Sequence, residues 1–167
     1  QLTLRDLRAM CSVEDLPLIA CHDDLCSAAG PMFHPDWYRR YVYPRYRQVF
    51  DLIHTHGKKA LFVCDGDVMQ ILPQLSALEM DGLAVDGHSD LRMVREAMSG
   101  RIITGGMRSS IVSGGTLEEI EQMVRQTASL MMDEPGYFFQ SSGMAGTAPP
   151  DKVEFYQECV RKYGKRQ

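Results

Sequence analysis

Short unbroken apolar runs alternate along the chain with longer amphipathic stretches. LPLIAC (16–21), KALFVC (59–64), GLAVDG (82–87), RIITGG (101–106) and GYFFQ (136–140) are brief, rich in branched or aromatic residues and bounded by Gly, Asp or Ser. Runs of this kind predict strands buried on both faces, as in a parallel sheet. Between them, residues 36–57, 67–80, 89–100, 113–131 and 149–164 carry apolar positions at helical spacing. Their punctuation agrees. Gly57 and Gly100 stand where helices end, Ser89 stands as an N-cap, Thr116 and Glu119 have capping-box spacing, and Pro149 and Pro150 open the last segment. Pro44 inside the first long segment predicts a kink, and Pro73 a second irregularity. The opening segment, residues 1–20, enters without an evident beginning, and a first residue Gln1 suggests a processed or truncated chain.

Strand followed by helix, five times, predicts an α/β fold with a parallel sheet, read as one domain over residues 1–167. A doubly wound sheet and a (β/α)8 barrel both fit. The chain contains neither GxGxxG nor GxxxxGK[ST], so a dinucleotide or P-loop reading gains nothing. In both architectures ligands sit at the carboxyl ends of the strands. Those ends read HDD (22–24), CDGD (64–67), DGHSD (86–90), GGMRSS (105–110) and QSSG (140–143), all polar and rich in Asp, Gly and Ser.

Charge and composition narrow the picture further. The net charge of −4 leaves no electrostatic footprint for nucleic acid. No apolar run approaches the ~20 residues of a membrane span. Five cysteines, an odd number without CxxC spacing, read as reduced thiols of a cytoplasm-like compartment.

The strand-end motifs, in this order, resemble the C-terminal half of the uroporphyrinogen decarboxylase superfamily, which includes the decarboxylases and the zinc- and corrinoid-dependent methyltransferases. HDDLCSAAGPMFHPDWYRRYVYPRYRQV, HTHGKKALFVCDGDVMQILPQL, ITGGMRSSIVSGGTLEEIEQMV and GYFFQSSGMAGTAPPDKVEFYQECVRKYG carry the likeness, from about Leu16 to Gly164. The resemblance implies a (β/α)8 barrel of the TIM type, of which this chain holds about five βα units. The missing half-barrel would come from the same or another chain. It also implies activity on a small molecule, through one of two chemistries. The first is methyl transfer to a corrinoid protein, with zinc as a possible cofactor. The second is decarboxylation of a porphyrinogen-like acid without a cofactor. A barrel remnant that binds a ligand or partner without catalysis is a third reading.

The candidate site residues follow from the strand ends and the resemblance together. Asp24, Asp65 and His88 are candidate catalytic groups. Asp23, Gly105, Gly106, Arg108 and Gln140 are candidate substrate-binding residues, with Arg108 able to take a carboxylate or phosphate in bidentate fashion and the glycines allowing a ligand close to the backbone. Asp86 stands near His88 as its partner. Cys64 is the candidate metal ligand, with Asp65, His88 or His22 as possible companions. Two features depart from the family. The histidine of its zinc motif is replaced by Phe62 or Val63, according to the alignment, and the last strand end has neither the methyltransferase cysteine nor the decarboxylase histidine. Asp24 stands where decarboxylases bind a substrate carboxylate through a serine, and it would repel a polycarboxylate. Asp67 is read as the N-cap of a helix at 68, and His54 and His56 as cationic groups at a helix C-terminus. The aromatic stripe Trp37, Tyr38, Tyr41, Tyr43 and Tyr46 is read as packing.

Overall fold

The computed structural model describes residues 2–133, 135–140 and 148–165. The elements run α1 (Leu2–Cys11), β1 (Leu18–His22), β2 (Cys26–Ser27), β3 (Gly30–Pro31), α2 (Pro35–Tyr41), α3 (Tyr43–Thr55) and β4 (Lys59–Cys64). They continue with α4 (Leu72–Ser76), β5 (Gly82–Val85), α5 (Leu91–Ala97), β6 (Ile102–Gly105), α6 (Ser109–Gly114), α7 (Leu117–Met131), β7 (Tyr137–Phe138) and α8 (Pro150–Tyr163). Five strands form one parallel sheet in the order β1-β4-β5-β6-β7, which is also their order in the chain. A doubly wound sheet reverses direction at a switch point, and this one never does. It is an arc of a (β/α)8-type barrel.

Side-chain alternation separates two faces of the arc. Phe62, Leu83 and Ile103 lie in register on the helix side, with Ile19 on the same face one rung earlier beside Ala60, each no more than 1% exposed. Phe62 packs there against the Tyr46 and Phe50 rings of α3. On the opposite face Val63, Ala84, Thr104 and Phe138 fall in register, with Ala20 beside Leu61 one rung earlier. Ala20 and Phe138 are exposed and Leu61 and Val63 half-buried, so the face that would line a closed barrel is only partly covered by the described residues. A second apolar cluster, built on Val112, Ile120, Val124, Tyr156 and Cys159, joins α6, α7 and α8. No helix of the described residues is long and apolar enough to cross a membrane.

The helices depart from the sequence pattern at their ends. The segment 36–57 does not kink at Pro44. It divides at Val42, and Pro44 falls in the first turn of α3, where a missing N–H costs nothing. The helix expected over 67–80 contracts to α4, because Pro73 is tolerated only in a first turn. Asp67 therefore caps a turn and not a helix, its Oδ1 accepting the Met69 N–H at 3.0 Å. The N-cap of α5 is Asp90, whose Oδ1 accepts from the Arg92 and Met93 amides. Ser89 is instead buried, for a reason that belongs to the site. The segment 113–131 yields α6 and then α7, with the capping box of Thr116 and Glu119 formed as its spacing predicts. The α1 helix and the β2–β3 ribbon, both short of a clear periodic signal, were not foreseen.

At the opposite edge of the sheet from the polar strand ends, Asp81 ties three strands. Its carboxylate accepts from the Ala60 N–H at 2.8 Å, Lys59 Nζ at 2.9 Å and His54 Nε2 at 2.7 Å. Its own amide donates to Ala60 O and its carbonyl accepts from Ile102. The histidine at the end of the long helix thus serves a sheet clamp. Burial alone would raise the Asp81 carboxyl; the Ala60 amide, Lys59 and His54 reverse that and hold it at about 2. A carboxyl lowered in the fold stabilises above its unfolded pKa, about 3.9, and loses that stabilisation as pH falls toward 2. Asp81→Asn is expected to cost about 2 kcal/mol of unfolding free energy at pH 7, in urea titrations, with the difference closing as pH approaches 2.

Candidate functional site

Parallel register brings the carboxyl ends of β1, β4, β5 and β6 side by side. The Asp23 N–H continues the β1 ladder onto Val63 O, which aims the following residues along the rim. His22 Nε2 lies 3.1 Å from Asp24 Oδ1, and the same oxygen accepts the Asp65 N–H at 3.3 Å. Asp23 Oδ2 accepts the Tyr46 hydroxyl at 2.5 Å. Burial and that carboxylate push the tyrosine's pKa well up.

The turn after β4 is the centre of the site. Gly66 has φ +88°, and a Cβ there would stand 2.6 Å from Ser27 O, so only glycine fits. Its N–H donates to Asp86 Oδ2 at 3.0 Å, and the next amide, Asp67 N–H, donates to Ser27 O at 2.9 Å. Buried Ser89 closes the arrangement, donating to Gly66 O at 3.0 Å and accepting from the Val68 N–H at 3.1 Å. The β2–β3 ribbon and the β5 end thus brace one turn from two sides. On it sits Asp65, half-buried. Burial first, then Asp86 and Asp24, raise its carboxyl above the usual range, while His22 and His88 pull it back. Asp86 also grips His88. Its Oδ1 accepts the His88 N–H at 2.9 Å and its Oδ2 lies 2.7 Å from His88 Nδ1, which directs the other ring nitrogen, Nε2, away from this pair.

The structure therefore brings Asp24, Asp65, Asp86 and His88 into one rim, together with His22, the possible metal companion of the HDD run, which meets Asp24 and not Cys64. It also adds Tyr46, which helical periodicity alone assigned to packing. Gly105 and Gly106 are needed for internal contact: a Cβ on Gly105 would lie 1.9 Å from Val85 O, and the Gly106 N–H donates to that carbonyl. Arg108 crosses to the β5 end, its Nε donating to Gly87 O at 3.0 Å. Gln140 meets the inner sheet face, its Oε1 accepting from Thr104 Oγ1 at 3.0 Å. Ser141, Ser142 and Gly143 lie outside the described residues.

Cys64 stands apart from this rim. In register with Val85 it faces the helix side, fully buried. A hydrogen bond with the Cys26 thiol lowers its pKa against the opposing effect of burial, assisted by the Leu25 and Cys26 amides. Phe62, at one possible histidine position, is in the same buried layer, and Val63, the other, is on the inner face. The described residues therefore do not assemble the thiolate-histidine set of the family's zinc motif. The described group with donor atoms within reach of one another is His22, Asp24 and Asp65, within 4.8 Å, whose nitrogen and oxygen donors suit a divalent cation harder than a thiolate site selects.

Residues 17–163 match the family model described as uroporphyrinogen decarboxylase (URO-D). Among solved structures, a methyltransferase from Methanosarcina mazei superposes with a TM-score of 0.75 at 17% identity, covering 95% of this chain and 45% of that chain. At that identity the likeness is one of fold, and this chain spans less than half of the neighbour's length. No curated protein matches.

Asp65 carries a stability consequence of opposite sign to that of Asp81. A carboxyl whose pKa is raised in the fold stabilises below its unfolded value, about 3.9, and that contribution is lost as pH rises through the raised folded value. Asp65→Asn is expected to raise the thermal midpoint at pH 7, with the two proteins converging near pH 3, measured by calorimetry at both values.

Proposed function

Because the chain belongs to the uroporphyrinogen decarboxylase family, we propose that it forms one half of the mouth of a (β/α)8 barrel that moves a methyl group from a small methylated donor to a corrinoid on a partner protein. The remaining strands would come from the same or another polypeptide, closing against the partly covered face of Leu61, Val63 and Thr104. The free thiols of all five cysteines suit a reducing, cytoplasm-like setting for it.

The observation that carries this reading is the charge of the rim. Asp23, Asp24, Asp65 and Asp86 gather there, with Arg108 as the nearby described cation among the candidate site residues, and its Nε is engaged by Gly87 O. A carboxylate brought within 4 Å of one of these groups meets repulsion of about 1 kcal/mol in water and about 4 kcal/mol at a protein surface. A polycarboxylated tetrapyrrole fits such a rim poorly, whereas a neutral or cationic methyl donor does not meet that penalty. This favours methyl transfer over decarboxylation within the same superfamily.

A reduced corrinoid supplies the nucleophile that accepts the methyl group. The chain's own residues act on the donor. Asp86 fixes His88 through Nδ1 and leaves Nε2 to deliver a proton to the leaving heteroatom, which keeps the electron pair of the broken bond to carbon. Asp24 and Asp65 hold the donor beside it, and Gln140 borders the far side. Cys64 is engaged by Cys26 in the helix layer, so no step is routed through it.

The test uses the full-length protein, reduced corrinoid protein and a panel of methylated donors, followed by the corrinoid's visible spectrum. His88→Gln is expected to lower the methyl-transfer rate by about 100-fold while donor binding stays within about twofold. Turnover of a carboxylated tetrapyrrole, with no methyl donor consumed, would overturn the reading.

A further inference from the structure

Beside the rim lies a cavity of about 620 Å3 lined by Asp23, Trp37, Tyr41, Val42, Arg45 and Tyr46. Its aromatic rings come from the stripe that sequence periodicity assigns to packing. That assignment holds for Tyr38 and Tyr43, 1% and 3% exposed, but Trp37 and Tyr41 remain 41% and 43% exposed. They are not spread flat over the surface. Trp37 stacks on Phe33 with centroids 4.6 Å apart and meets Tyr41 at 5.7 Å and 49°, so the two rings form a corner. The Arg40 guanidinium sits 5.2 Å from the centroid of Tyr41, which shows that ring already attracting a cation.

The polar groups of the same cavity have opposite signs. Asp23 gives one oxygen to the Tyr46 hydroxyl. Arg45 gives one N–H to the Tyr41 carbonyl and keeps further donors. A simple cation entering here meets Arg45, and a simple anion meets Asp23. A ligand bearing both charges, with its cationic end bulky and weakly hydrated, satisfies all the walls at once.

We propose that this cavity is the recognition subsite for a betaine-type zwitterion, a quaternary methylammonium carboxylate. The ammonium lies among Trp37, Tyr41 and Tyr46 beside Asp23, and the carboxylate lies on Arg45. The inference rests on the methyl-transfer reading, since it names the donor. The cavity shares Asp23 with the rim, and the next residue, Asp24, accepts the Asp65 amide, so the subsite adjoins the β1 end of the rim. In the transfer, a methyl carbon–nitrogen bond breaks with its electron pair remaining on nitrogen, and the methyl group passes to the corrinoid nucleophile. The product leaves as a neutral tertiary amine, which takes its proton from water; a quaternary nitrogen has no lone pair to protonate before the bond breaks, so the proton from His88 serves only donors whose leaving atom carries a lone pair.

Calorimetric titration of the full-length protein tests this with three probes: trimethylglycine, choline, which lacks the carboxylate, and 3,3-dimethylbutanoate, which has carbon in place of the charged nitrogen. Trimethylglycine is expected to bind at least about 10-fold more tightly than either analogue. Trp37→Ala and Arg45→Ala should each weaken it about 10-fold or more, while Trp37→Phe, which keeps an aromatic face, holds it within about threefold. The two alanine variants lie on different helices, so a folding defect in one leaves the other informative. Equal binding of 3,3-dimethylbutanoate, or unchanged affinity in both alanine variants, overturns the subsite. If other methyl donors react through His88 while trimethylglycine does not bind, the subsite alone falls. If trimethylglycine binds with the expected charge pattern and no donor reacts, methyl transfer falls, and with it the role of this ligand as donor.

Discussion

Gly66 is the point on which the site depends. The chain must leave β4, pass within contact of the Ser27 carbonyl and present two successive amides in different directions, one to Asp86 and one to the ribbon. A side chain at this position would collide with backbone, which cannot move as a flexible side chain can. The left-handed conformation at φ +88° suits glycine for a second, independent reason. From this turn the rest follows. Asp65 is held over the strand ends, Asp86 is oriented to grip His88, and Ser89 is drawn away from helix capping to bridge the turn to the next loop.

The cost of the arrangement is electrostatic. Packing four strand ends together half-buries Asp65 and places other carboxylates within range of it, and burial first, then Asp86 and Asp24, raise its pKa. At the other edge of the sheet the protein does the reverse, surrounding Asp81 with two side-chain donors and an amide that favour its charge. One edge is arranged for stability and the other concentrates like charge, as an edge built to receive a ligand does. The exposed corner of Trp37 and Tyr41 fits this division, since large aromatic surface left in water contributes little to the fold.

Much of the architecture was legible beforehand because it rests on local signals. Five apolar runs announced five parallel strands, and the capping box at Thr116 and Glu119 formed where its spacing placed it. The carboxyl-end rule located Asp24, Asp65 and His88 on one rim. Other features were hidden, because they depend on neighbours distant in sequence. Ser89 and Asp90 are both good N-caps, and only the position of Gly66 assigned the role to Asp90. His54 looked like an ordinary helix end until Asp81 met it from 27 residues away. Cys64 carried a plausible ligand reading that ignored strand parity, and parity turns it toward Cys26 and the helix layer.

The sequence by itself determined the element types, their alternation and the polar character of every strand end, since periodicity and cap chemistry act over a few residues. Only the tertiary structure decided that the strands follow one another without reversal, which side of the sheet each end group faces, and which carboxylates share a turn. Those outcomes depend on register and on backbone contact between segments such as Ser27 and Gly66, and no local pattern encodes the approach of two such segments.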